Sequence, residues 1–150
     1  MESMDEKKHQ KILERIGDLA NYPSNTMRVP ENLVSPTLTL DEFFDGNDDE
    51  GSITRLTMSG PQAVYSFLKQ IRDRPDVQEV YVLVTDYPGV GYWPSSDTII
   101  VVTSATADEV FGWFPEEYQP DEISEELPYY CLMDPLPVPA GMKAVTMWYD

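Results

Sequence analysis

Two strongly apolar runs constrain this chain more than anything else in it: VQEVYVLVT from Val77 and DTIIVVTS from Asp97, joined by the loop DYPGVGYWPSS. Val80, Tyr81, Val82, Leu83 and Val84 in the first run, and Ile99, Ile100, Val101 and Val102 in the second, are β-branched, aromatic or aliphatic at almost every position. Strands of this kind bury both faces, so both runs belong in the middle of a sheet. A chain of 150 residues with 41% hydrophobic content can bury one core without metal or disulfide support, and the expectation is a single domain over 1–150.

The flanking segments supply helices and their stops. Ser3 to Glu6 reads as a capping box, and Ile12, Leu13, Ile16, Leu19 and Ala20 recur at helical spacing until Pro23. Residues 22–38 carry proline every few positions and read as an extended wrapping segment. Thr39 and Glu42 form a second capping box for a short helix, with Gly46 at the left-handed C-terminal position. SITRLTM, 52–58, reads as an alternating strand. Pro61 then opens a helix with Val64, Phe67, Leu68 and Ile71 on one face, closed by Pro75. Thr106 and Glu109 cap another helix, PDEISEEL reads as a short helix from Pro120, and KAVTMWY as a last strand.

After Gly51 the strong elements therefore run strand, helix, strand, strand, helix, strand. With right-handed crossovers that order resembles the ferredoxin-like βαββαβ plait: an α+β fold with an antiparallel sheet of order 4-1-3-2, two helices on one face, and residues 1–51 as an N-terminal extension. The resemblance is topological and implies no iron centre, since the chain has one cysteine, Cys131. A plait leaves one sheet face open. The apolar second face needs the N-terminal helix and wrapping segment over it, or else a second copy of the chain in a homodimer.

Charge excludes several functions. The chain has 27 acidic and 10 basic side chains, a formal net charge of −17. Five of the cations (Lys7, Lys8, Lys11, Arg15 and Arg28) fall in the first fifth of the chain, and after Arg74 the only one is Lys143. Such a surface repels phosphate backbones and anionic lipid, so neither nucleic acid nor a membrane is an expected partner. The N-terminus has no apolar signal-peptide core and no run is long enough to span a bilayer, which points to the cytoplasm.

Catalytic and metal-binding patterns are scarce. His9 is the only histidine, which rules out a histidine triad or a multi-histidine zinc site, and no cofactor is implied. Asp45, Asn47 and Asp49 alternate as in a calcium loop, but Glu50 stands where glycine is needed and Leu56 where a bidentate glutamate is needed. In the plait the start of the first strand lies beside the end of the last, which would bring Asp48, Asp49 and Glu50 towards Asp150. Crowded acids of that kind suit a divalent metal. PGVGYWP has glycines after a strand but no following helix to face a phosphate. Its neighbours Tyr87, Tyr92, Trp93 and Asp97 are candidate contacts for a protein partner, since aromatics anchor interfaces; the alternative is that the rings fold back as core. FFDGN and WPSSD look like local signatures of bacterial proteins, and no activity attaches to them.

The leading functional expectation is a non-enzymatic, acidic, cytoplasmic protein-binding module for a basic partner, with inhibition or neutralisation of that partner as a concrete version. The alternative is a small-molecule-sensing or divalent-metal-dependent enzymatic domain that uses carboxylates.

Overall fold

The two apolar runs pair as expected. In the computed structural model, which describes residues 6–16, 37–84, 93–126 and 137–150, strand β2 (Val77–Leu83) and strand β3 (Thr98–Thr103) are antiparallel, with Val80 opposite Val101 and Val82 opposite Ile99. Every residue of β3 is buried. The other strands are β1 (Thr37–Thr39), β4 (Glu122–Ser124) and β5 (Lys143–Trp148), and the five form one antiparallel sheet in the order β1-β2-β3-β5-β4.

The protein is therefore α+β, but the sheet lacks the 4-1-3-2 order of a plait. The cause lies at 52–58, which does not extend. Ile53 makes one isolated parallel bridge to Ser96, and Leu56–Ser59 wind into a short 3-10 helix. Between them the Leu56 N–H donates to the Thr54 carbonyl across Arg55, whose φ is 65°. That is a γ-turn of the strained kind, seldom adopted by a residue other than glycine. The Thr57 hydroxyl completes the fold-back: it accepts from the Ile53 N–H at 2.9 Å and donates to the Glu50 carbonyl at 2.8 Å. With no strand at 52–58, the free edge of β3 goes to β5, which pairs with it from Thr98–Trp148 to Thr103–Lys143.

The helices follow their local signals more closely. Helix α2 (Leu40–Phe44) has the Thr39–Glu42 capping box, and α4 (Ala107–Gly112) has the Thr106–Glu109 box. Helix α3 (Pro61–Arg72) starts on its proline and buries Val64, Leu68 and Ile71, while Phe67 is half-buried. Helix α1 (Glu6–Ile16) buries Ile12; its proposed cap at Ser3, and Leu19 and Ala20, lie outside the described residues. The segment after Pro120 forms the edge strand β4 and not a helix, because β5 offers it a ladder from Glu122–Trp148 to Ser124–Thr146.

By the strand register, Leu38, Val80, Val82, Ile99, Val101, Val145 and Met147 share one face. They form the main core with Phe43, Phe44, Val64, Leu68 and Val110 from the helices, with Phe114 just after α4 and with Tyr149 beyond β5. Ile12 belongs to this same core, so α1 packs on the helical side and does not cover the second face. On that second face Leu83, Ile100 and Val102 are 0% exposed in the single chain, so their burial does not call for a second copy. The expected wrapping segment up to residue 36 lies outside the described residues.

Candidate functional site

The loop from Asp45 to Gly60 is built around a buried polar network. Asn47, Ser52 and Thr57 are each 0% exposed. The Asn47 amide donates to the Ser52 hydroxyl at 3.0 Å and its oxygen accepts from the Asp49 N–H at 2.9 Å. Gln62, on the first turn of α3, donates to the Phe44 and Asn47 carbonyls, both at 2.7 Å. Buried polar groups that are satisfied in this way specify a single loop conformation. The Asp49 carboxylate is used locally, accepting the Gly51 N–H at 2.9 Å, while Asp48 and Glu50 are exposed.

Asp150 has different surroundings. Its N–H donates at 2.7 Å to the carboxylate of Asp121, which also receives Arg55 at 3.0 Å. Among the described residues no group of three or more His, Cys, Asp or Glu side chains is arranged to hold a metal ion. The expected meeting of Asp48, Asp49 and Glu50 with Asp150 depended on a strand at 52–58, and that strand is absent.

Of the residues expected on the 86–97 loop, Tyr87 and Tyr92 lie outside the described residues. Trp93 is 1% exposed; its indole N–H donates to the Phe43 carbonyl at 2.8 Å and its ring lies 5.7 Å from that of His9. The ring is core, the second of the two uses open to it. Asp97 is half-buried and works within the fold: its carboxylate accepts from the Thr98 hydroxyl at 2.8 Å and its carbonyl from the Tyr149 N–H at 2.8 Å.

A run of exposed, unbalanced acids extends from α4 to β4. Asp108, Glu109, Glu116, Glu117, Glu122 and Glu126 are exposed, and among the described residues none of them has an ion-pair partner. The cations nearby are already engaged. Lys143 lies 3.6 Å from Glu125, and Arg74 stacks 3.8 Å above the Trp113 ring beside Asp76. Arg55 holds the Gln119 carbonyl at 2.8 Å as well as Asp121, and lies 5.6 Å over the Tyr149 ring. The Asp150 N–H, and then the Arg55 guanidinium, keep the Asp121 carboxyl below its ordinary value.

A second cluster joins α2 to α3. The Tyr65 phenol donates to Asp41 and stacks on Phe44 at 5.3 Å, Arg72 approaches Asp41 at 3.4 Å, and Lys69 sits 4.2 Å over the Tyr65 ring. Burial and then the bond to Asp41 push the Tyr65 phenol up to about 12, and the bond from Tyr65 holds Asp41 low. Beside it, between α1 and α2, Lys8, Lys11, Ile12, Glu14, Asp41, Glu42 and Asp45 line a cleft of about 410 Å³. Lys8 closes onto Asp45 at 2.8 Å there.

Comparison with known proteins places the chain. Residues 7–147 match the model of the Uncharacterized protein YfbO family. The chain belongs to the YfbO family. It is 37% identical over 140 residues to the uncharacterized protein YfbO of Escherichia coli (strain K12), a match covering 92% of this chain and 98% of that protein. No solved structure matches. The YfbO match is thus to a bacterial relative of the same length range, and its name carries no activity.

Sequence reading missed the Asp41–Tyr65–Arg72 cluster and the open edge at β4. The charge of the α4–β4 flank had a signal in the absence of Lys and Arg between Arg74 and Lys143.

Proposed function

We propose that this chain is a non-enzymatic, cytoplasmic binding module for a basic protein, and that its occupation of that partner inhibits or neutralises it. The observation that carries this reading is the unpaired acidic flank from Asp108 to Glu126, on a chain of net charge −17. Acids clustered on one flank of a rigid sheet attract a basic partner and orient it before contact, and the effect weakens as salt shortens the range of the field. Among the described residues no helix is long and apolar enough to cross a membrane, which accords with a partner met in solution.

The test is affinity capture from native cytosol with the natural chain and with a variant carrying Asp108→Asn, Glu109→Gln, Glu116→Gln and Glu117→Gln. A basic protein retained by the natural chain in low salt, released in high salt and lost with the variant is the expected result. Equal retention by both chains would remove the acidic flank from the reading.

The cleft between α1 and α2 favours a second reading, a small-molecule-sensing domain. A compound that occupies the cleft raises the melting temperature, and Lys11→Ala or Glu14→Ala reduces that rise. Flat melting curves across a panel of charged metabolites would refute it.

A further inference from the structure

We infer that the outer edge of β4 is a docking site at which an extended, lysine- or arginine-bearing segment of a protein partner adds as a further strand of the sheet. The inference rests on the binding-module reading and assigns it a place and a mode. The sheet order ends at β4, which pairs with β5 alone. Among the described residues nothing pairs with its other edge, and Glu122 and Ser124 are exposed. An edge strand presents backbone N–H and C=O groups that template one more strand. The opposite end of the sheet is not equivalent: Thr37 and Leu38 of β1 are buried and Thr39 is committed as the cap of α2.

Two further features suit an incoming basic strand. A shallow groove of about 290 Å³ runs beside the edge, lined by Glu122, Ile123, Ser124, Thr146 and Trp148. The register puts Glu122 beside Trp148 and Ser124 beside Thr146 on one face, so alternate side chains of an added strand meet the Glu122 carboxylate and the Ser124 hydroxyl, with the half-buried Trp148 indole one strand further in. The charge around it is of one sign: Glu122 and Glu126 at the strand and Glu116 and Glu117 before it are exposed and unpaired among the described residues. Acids on an edge also guard against self-association. The same charges that turn away a second copy of this edge select an occupant of opposite sign, and the edge commits to a basic partner for that reason.

The probe is a capped eight-residue peptide of alternating lysine and valine, compared with the same peptide N-methylated on alternate residues. N-methylation removes ladder donors while leaving charge intact. The full-length protein is titrated with each peptide in low salt, with hydrogen exchange followed at the amides of residues 122–124. The expected result is that the plain peptide slows exchange there and that N-methylation weakens its binding at least about tenfold. Glu122→Lys is expected to abolish the protection while leaving the melting temperature within a few degrees, since the side chain is exposed. Equal binding of the two peptides, or binding without protection at β4, would overturn the edge site and leave the acidic binding module standing. No binding of either peptide would overturn both.

Discussion

The clearest test of this fold is Thr57→Val, a change that keeps the shape of the side chain and removes its hydroxyl. Thr57 is 0% exposed, and its hydroxyl accepts the N–H of Ile53, itself 0% exposed, at 2.9 Å. With valine that N–H has no partner and no water, a loss of about 1–3 kcal/mol. The Glu50 carbonyl loses a bond of 2.8 Å, but Glu50 is exposed and water replaces it for about 0.5–1 kcal/mol. A methyl group in place of the hydroxyl returns about 0.8 kcal/mol of apolar burial. The net destabilisation is about 2 kcal/mol, a fall in melting temperature of roughly 4–8 °C at this chain length. Thr57→Ser, which keeps the hydroxyl and drops the methyl, should lie between the two. Thermal unfolding followed by circular dichroism decides the matter. If 52–58 were a sheet strand, valine would fit it at least as well as threonine. A Thr57→Val protein as stable as the natural one would therefore refute the fold-back at Ile53 and reopen the strand.

Other outcomes follow from the same structure. Arg55→Gly and Arg55→Ala both lose the contacts to Gln119 and Asp121, but only glycine relieves the φ of 65°, so the glycine variant should be the more stable of the two by about 1 kcal/mol in urea unfolding; equal midpoints would deny the strain. Trp93→Phe should cost about 2–4 kcal/mol through the lost bond to the Phe43 carbonyl and the space left behind, and should shift the fluorescence to the red because Trp113 and Trp148 are only half-buried; an unshifted spectrum would contradict a buried Trp93. Tyr65 holds its proton more tightly in the folded protein than in the unfolded chain, so its contribution to stability is complete below the ordinary value of 10.0 and is lost as pH rises through about 12; ultraviolet titration should show a late phenol that Tyr65→Phe removes. Asp41 has the opposite sign, its contribution being present above 3.8 and lost as pH falls through its lower folded value, and the same substitution should bring that value back up.

What could be read without the structure was local. The boxes at Thr39–Glu42 and Thr106–Glu109 and the proline at the start of α3 specify helix ends through contacts within four residues, and they form as the spacing dictates. The central apolar runs likewise declare themselves, because nothing but a buried sheet accommodates that many β-branched side chains in sequence. SITRLTM deceived because its polar and apolar residues alternate by eye. Its buried positions are Ser52, Ile53, Leu56 and Thr57, a spacing closer to a helical turn than to a pleat, while Met58 is 67% exposed. What decides the segment is hydrogen bonding from Thr57 back to its own chain, which no pattern of hydrophobicity encodes. At Glu122–Ser124 the converse holds: a stretch with helix-favouring acids becomes a strand because β5, some twenty residues further on, presents an edge to pair with.

The charge was legible as a quantity and as a trend along the chain, but its placement depends on topology. Lys8 and Lys11 sit on α1, which is tied by the Lys8–Asp45 ion pair to α2, next to β1 at one end of the sheet. The unpaired acids from Asp108 to Glu126 gather about β4 at the other end. In a plait of order 4-1-3-2, 122–124 would have had no place in the sheet and would have lain on the short helix expected from Pro120. The observed order makes β4 an edge and gathers exposed acids about it; on the proposed reading, a basic partner would be drawn to the end of the sheet where, among the described residues, backbone groups remain to be paired. In that proposal electrostatic attraction and strand addition act at one place, which is why the N-methylated peptide, alike in charge and unlike in hydrogen bonding, separates the two.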